Sequence, residues 1–531
     1  MFSFCRRHPI VSVLVAIPLL LILYLGYRSR GPHRSYRADL VKPAPGVAIT
    51  PAALQVGVAE VNITPDLSIY EPWVDSNNDS KFNPKDGDTY TDKNGNGKFD
   101  SVWIAGFSNN RPPKGVHDPL LAQAIAFRNN DTTLVMVTID SIGILHEKFI
   151  DVRKSIDPSL GIDHVMFSST HNHEAPDTLG IWSNTNNPLT QNNFDYGYMA
   201  FLKGQLKLAV EDAVKALQPA EMTLAEVTVG PDGFMDDSRL PHVYDNFVRS
   251  ARFTKPGTDE TIATVVEWGN HVETLASKNS ELTADFVHYL RKGVEDGVGE
   301  PNGAEALGGM CLYFQGLVGG LMTQLHTVVP HRDGVQKFDE GTYEKAQALG
   351  ENVAIEVIKS QRGPTAFKSA TSNVAIAAKT IFVPLDGLFE YASFLGLLHP
   401  GWYWGKGKTE VNAFRIGDLE VLTIPGELYP EIAYGGIEKP DGADFGIDPV
   451  EIPPLHPQMK GKLNMMIGLA NDEIGYIIPK SQWDVEAPYA YGRTDDPQYG
   501  EENSGGPDVG PVIHKECMAI LATLHEAVEA K

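Results

Sequence analysis

Hydrophobic and polar positions along this chain alternate between two patterns. Short apolar or β-branched runs at residues 134–139, 164–168, 263–268, 312–314 and 419–424 are too brief for helices and rich in side chains that suit a pleated surface, which predicts buried strands. Between them, apolar residues spaced three and four apart predict helices. The clearest stripe is Met199, Leu202, Leu206, Val210, Ala213 and Leu217, closed by Pro219. Residues 342–359 and 515–528 carry the same spacing. Strands interleaved with helices predict an α/β fold, a mixed sheet with flanking helices. No long-period repeat and no strong linker interrupts residues 54–531, so a single large domain is the simplest organisation.

The N-terminus breaks both patterns. Arg6, Arg7 and His8 precede an almost uninterrupted apolar run from Pro9 to Tyr27, about as long as a helix needs to cross a bilayer core. Tyr27-Arg28-Ser29-Arg30 follows, where a cleaved signal peptide would carry small residues. The expectation is an uncleaved transmembrane anchor over residues 1–30, with the bulk of the chain extracytoplasmic. Residues 31–53 are polar and Pro-rich and suit a short extended tether.

Charge narrows the partners. With 68 Asp and Glu against 44 Lys and Arg, the net charge of -24 repels polyanions and excludes nucleic acid as the main partner. Three cysteines, Cys5, Cys311 and Cys517, allow at most one disulfide within the domain, leaving stability to the core. Part of the acidity is local. Asp75, Asn77, Asp79, Asp86, Asp88, Asp92, Asn94, Asn96 and Asp100 place oxygen side chains at alternate positions around Gly95 and Gly97, the donor type and turn chemistry that calcium takes. A structural calcium-loop insertion at about 75–100 is expected; the closing glutamate of an EF-hand is missing.

The densest chemistry follows the run that ends at Phe167. In Thr170-His171-Asn172-His173, residues two apart point the same way on an extended chain, so His171 and His173 either converge on one metal ion or divide into ligand and proton-transfer roles. His271 and Glu427 also sit just past strand-like runs, and the carboxyl ends of strands are where separated residues meet in α/β sheets.

These motifs together resemble the catalytic domain of the neutral, non-lysosomal ceramidases. The opening stretch from Gln55 to Pro65 resembles that family's first strand, and Thr170-His171-Asn172-His173 its Thr-His-x-His signature. Gly269-Asn270-His271, Leu282-Thr283-Ala284-Asp285-Phe286, Ile424-Pro425-Gly426-Glu427 and Gly468-Leu469-Ala470-Asn471 with Gly475-Tyr476 follow in the family's order, over roughly residues 54–515. The resemblance implies zinc held by His171, His271, Glu427 and Tyr476, His173 as an acid/base or oxyanion-stabilising group, and Arg239 as a substrate-orienting group. It implies hydrolysis of a lipid amide, an N-acyl sphingoid of the ceramide type. The member is divergent. After Phe314-Gln315-Gly316 the chain runs Leu317-Val318-Gly319-Gly320-Leu321-Met322, without the acid and serine that ceramidases carry there. A non-lipid amide or ester as substrate, or a catalytically silent calcium-binding cell-surface module, are the alternatives. The apolar run 388–398 followed by Trp402-Tyr403-Trp404 is expected either in the core or at a membrane interface that admits the lipid.

Overall fold

A computed structural model describes residues 9–28, 31–47, 52–183, 195–387, 390–391 and 403–529. The described residues start with helix α1 (Pro9–Arg28) and include the short strand β1 (Leu40–Lys42), after which one connectivity repeats three times. In the first unit, β2 (Gln55–Asn62), β3 (Leu121–Asn129) and β4 (Thr132–Ile139) pair antiparallel. Helix α2 (His146–Ser155) then carries the chain over to β5 (His164–Ser169), which lies parallel to β4, and α3 (Tyr196–Lys215) closes the unit. The second unit contains β6 (Glu221–Thr228), β7 (Phe247–Thr254) and β8 (Thr261–Trp268), then α4 (Phe286–Asp296), the parallel strand β9 (Met310–Gln315) and α5 (Tyr343–Arg362). The third has β10 (Val374–Pro384), β11 (Lys406–Ile416) and β12 (Leu419–Thr423), the two-residue strand β13 (Glu427–Leu428), β14 (Leu463–Ile467) parallel to β12, the two-residue strand β15 (Tyr476–Ile477) and α6 (Val509–Val528).

One face of each sheet meets a common core. Val56 and Met136 from the first sheet, Leu224 and Val265 from the second, and Ile376 and Val421 from the third belong to a single apolar cluster. The other face of each is covered by its own helices: α2 and α3 on the first, α4 and α5 on the second, α6 on the third. Burial on both faces explains why β4, β8 and β12 read as continuous apolar runs. The expected strands fall within β4, β5, β8, β9 and β12, the last ending one residue early, and the stripe from Met199 falls on α3, which stops at Lys215. The threefold layout leaves no period in the sequence because it repeats burial and connectivity, not residue types.

The three sheets are stitched together at one end. Gln315 at the end of β9 donates its amide to the Thr170 and Asn270 carbonyls, 2.9 and 2.7 Å. Gly468 N donates to the Gln315 carbonyl and Asn471 N to the Phe167 carbonyl. The chain segments at the ends of β5, β8, β9 and β14 are thereby held side by side.

Two expectations about the N-terminal region change. Residues 31–53 contribute an edge strand: β1 pairs with β10 in the register Leu40↔Ala378, Ala38 is buried, and Lys42 forms a 2.8 Å ion pair with Asp163. An uncovered β10 edge would leave a row of unpaired backbone groups, which β1 takes up, so this stretch belongs to the sheet and is no loose tether. Helix α1 spans 20 residues. Among the described residues no helix is long and apolar enough to cross a membrane, so the expected transmembrane anchor is not supported. Of the apolar run expected to meet lipid, residues 388–389 and 392–402 lie outside the described residues. Tyr403, just beyond, packs on Phe382 at 5.8 Å and bonds to the Pro32 carbonyl.

Candidate metal centre

Just past β5 the chain turns sharply, with His171 in the left-handed region at φ 63. That turn swings the imidazole back, and its Nδ1 is fixed by the Ile142 carbonyl at 2.8 Å. His271, just past β8, has Nδ1 fixed in the same way by the Met322 carbonyl at 2.7 Å, which also accepts from the His271 backbone N–H. With both Nδ1 atoms committed, both Nε2 atoms converge on Glu427 Oε2, at 3.5 Å from His171 and 3.2 Å from His271. Tyr476 Oη lies 3.4 Å from His271 Nε2. Glu427 and Tyr476 are brought level by the parallel pairing of β13 with β15, in which they are register partners. All four side chains expected as ligands thus meet, drawn from the ends of three different sheets.

The donor set suits a metal of the zinc type. Among the described residues the buried Glu427 Oε2 finds no hydrogen bond of good geometry, and a carboxylate so placed asks for a cation. Burial holds His171 down at about 4 and pushes His271 below its ordinary range, so both imidazoles are neutral, as ligation requires. Burial also raises Glu427 and raises Tyr476 far above the ordinary phenol range. Carbonyls on Nδ1 set the tautomer that exposes Nε2, a common arrangement around metal-bound histidines.

His173 sits beside this set. An isolated parallel bridge joins Asn172 to Val272, and His173 N–H donates to the Val272 carbonyl. The bridge lines up His171 with His271 and His173 with Glu273. The His173 ring stands 4.9 Å from that of His171 and 5.7 Å from that of His271, and its Nδ1 lies 3.3 Å from Glu273 Oε2. Among the described residues these three histidines are the one group of three or more metal-capable His, Cys, Asp or Glu side chains whose donor atoms lie within 4.8 Å of one another. Burial, and the neighbouring imidazoles after it, keep His173 well below its usual range. Gly106 forms the wall behind the ring; a Cβ there would lie 2.8 Å from His173 Nδ1. Sequence reasoning passed over Glu273, although His271-Val272-Glu273 repeats the two-residue spacing of His171 and His173.

Arg239, which the resemblance implies as a substrate-orienting group, is engaged with protein partners. Its guanidinium is buried and bound bidentately by Glu501, at 2.7 Å for both contacts, with further bonds to the Tyr499 and Gln482 carbonyls. It stacks over Tyr429, 5.1 Å from the ring centroid, and Tyr429 and Tyr499 both pack on Tyr476. The side chain is therefore occupied in supporting Tyr476. The divergent stretch after Gln315 serves packing. Leu317 and Val318 are fully buried, and Gly319 N donates to the Leu428 carbonyl so closely that a Cβ would lie 2.4 Å from the Leu428 backbone. This stretch props the strand that bears Glu427.

The acidic loops at 75–100 close on themselves. Asp75 is paired with Lys114 at 2.9 Å, and Asp79 accepts from Lys81 N and the Asn77 amide. Asp86 accepts from the Asn83 amide, and Asp88 from Ser76 N and Asn83 N. Asp92 accepts from Gly95, Asn96 and Gly97 N, and Asp100 from the Asn94 and Asn96 amides. Lysine, backbone and side-chain amide donors meet these carboxylates, some of them as Asx turns, and the expected calcium site gains no support.

Neither the comparison with protein-family models nor that with curated proteins gives a match. Solved structures do. The neutral ceramidase from Pseudomonas aeruginosa aligns with a TM-score of 0.61 at 14% identity, over 90% of this chain and 75% of that one. A structure described as a ceramidase complexed with C2 aligns with a TM-score of 0.58, also at 14% identity and with the same coverage. At that identity the likeness is one of fold, which does not by itself carry function.

Proposed function

We propose that this chain is a divergent relative of the neutral ceramidases and a zinc-dependent hydrolase of an amide bond, with an N-acyl sphingoid lipid of the ceramide type as its substrate. The observation that carries this reading is the convergence of His171 Nε2, His271 Nε2 and Tyr476 Oη around the buried Glu427 Oε2, inside a fold shared with ceramidases.

In this reading His171, His271, Glu427 and Tyr476 hold the ion. Zinc bound there supplies a Lewis acid for the scissile carbonyl and a water of lowered pKa. His173, beside the ligands and outside the pairings that fix them, hands a proton to the leaving nitrogen, which must be protonated for an amide to break. Neutral at working pH, its imidazole accepts that proton from the attacking water before passing it on. Phe107, 5.3 Å from the His173 ring, and the aromatic pair Tyr476 and Tyr499 give the site apolar walls that limit water.

The test is turnover of a ceramide-type lipid amide and of a soluble non-lipid amide by the full chain in detergent, with zinc content measured before and after chelation. The expected result is close to one zinc per chain, hydrolysis of the lipid amide preferentially, and loss of activity with the metal. Turnover that survives complete metal removal would overturn the metal-dependent reading, and preference for the soluble amide the lipid one.

A further inference from the structure

We infer that Glu273 is a positioning residue for His173, holding the imidazole so that Nδ1 faces the carboxylate and Nε2 is presented to the reacting group. The bridge between Asn172 and Val272 makes the two residues neighbours by backbone register, so their proximity is built into the fold. Glu273 is itself anchored: Oε1 accepts from the Thr323 hydroxyl at 2.5 Å, which leaves Oε2 for His173 Nδ1 at 3.3 Å. The turn that carries it is pinned behind, where Asp285 accepts from Leu275 N at 3.1 Å while holding the strained backbone angle φ 52. Gly106 closes on the same edge of the ring, where a Cβ would lie 2.8 Å from Nδ1. His173 is thus held along its Nδ1 edge by a glycine wall and a carboxylate. Among the described residues neither ring nitrogen makes a hydrogen bond of good geometry: Nδ1 meets the Glu273 carboxylate only as the 3.3 Å contact, and Nε2 has no partner, which leaves it for the reacting group. His171 and His271 have carbonyls at Nδ1, whereas the carboxylate of Glu273 lies at that of His173.

The role in turnover rests on the hydrolase reading, but the positioning itself is measurable without substrate. Histidine labelled with ¹⁵N in the full chain reports the ring state directly. His173, assigned by its loss in His173→Ala, is expected as the Nδ1–H tautomer, and Glu273→Gln should shift its Nδ1 resonance while leaving those of His171 and His271 in place. Thr323→Val, which removes only the anchor of Glu273, should move the same resonance in the same direction by less, and serves if Glu273→Gln does not fold. In turnover, Glu273→Gln is expected to keep zinc and KM and to lose about 10- to 100-fold in kcat. The same change made on His173→Ala should cost nothing further. An unmoved His173 resonance overturns the inference even if the chain is inactive on every amide. Loss of zinc in Glu273→Gln, or an undiminished second loss on the His173→Ala background, overturns it too, because either makes Glu273 act independently of His173.

Discussion

His171 and His173 stand two residues apart, with a carbonyl at Nδ1 of His171 and a carboxylate near Nδ1 of His173, and the proposed reading makes the first a ligand and the second a proton-transfer group. His171→Ala and His271→Ala should therefore lose both bound zinc and activity while circular dichroism shows an intact fold. His173→Ala should keep zinc and lose about 10²- to 10⁴-fold in rate, the usual worth of a positioned proton-transfer group. Equal loss of zinc in all three would place His173 among the ligands. A histidine outside the site makes a second, independent prediction. His146 is buried at the start of α2, where its backbone N–H donates to Asp472 and its Nδ1 contacts the Asn471 carbonyl, and burial lowers its pKa to about 4. The unfolded chain therefore takes up this proton first, so between pH 6.5 and 4 the unfolded state binds more protons and stability falls as pH falls. The stability that wild type holds over His146→Gln should be constant above pH 6.5 and shrink below it, by roughly 3 kcal/mol at about 1.4 kcal/mol per pKa unit. Urea unfolding of both proteins across that window decides it.

Among the elements, the short ones do the positioning. Strands β13 and β15 have two residues each, yet their register sets Glu427 beside Tyr476. What keeps β15 in place is the buried pair of Arg239 with Glu501, packed through Tyr429 and Tyr499 on Tyr476. Removing one partner leaves the other charge buried and unpaired, so Arg239→Met should destabilise by roughly 3–5 kcal/mol, and Glu501→Gln by less because a hydrogen-bonding group remains. A substrate-orienting arginine would instead raise KM with stability unchanged, and unfolding curves beside kinetics separate the two. Strand β1 offers a test of the N-terminal region: a chain beginning at residue 31 keeps the β10 edge covered, whereas one beginning at residue 52 exposes it and should unfold at lower temperature and aggregate sooner.

At the scale of the molecule, three sheets with one shared core deliver their ends to one site, so an ion bound there ties the three units together. Saturating zinc should then raise the unfolding midpoint and a chelator lower it, following the gain of about 2.7 kcal/mol expected at a hundredfold excess over Kd. His271→Ala should abolish that dependence, and a midpoint indifferent to zinc would show that the ion contributes nothing to holding the units. The sequence by itself determined the α/β class, five buried strands and the amphipathic stripe of α3, and singled out His171, His271 and Glu427 as candidates; Tyr476 entered only through the resemblance to ceramidases. Each of those signals is local, an apolar run or a polar residue just past its end, and local patterns are written in consecutive residues. Tertiary structure alone decided the rest. The threefold layout repeats burial and not residue types; the engagement of Arg239 depends on Glu501, far away along the chain; and the pairing of Glu273 with His173 is set by a backbone bridge between segments a hundred residues apart. The loop acids at 75–100 show the converse. A pattern that reads as a calcium loop is equally the pattern of Asx turns, and only the fold shows that backbone and amide N–H groups reach those oxygens.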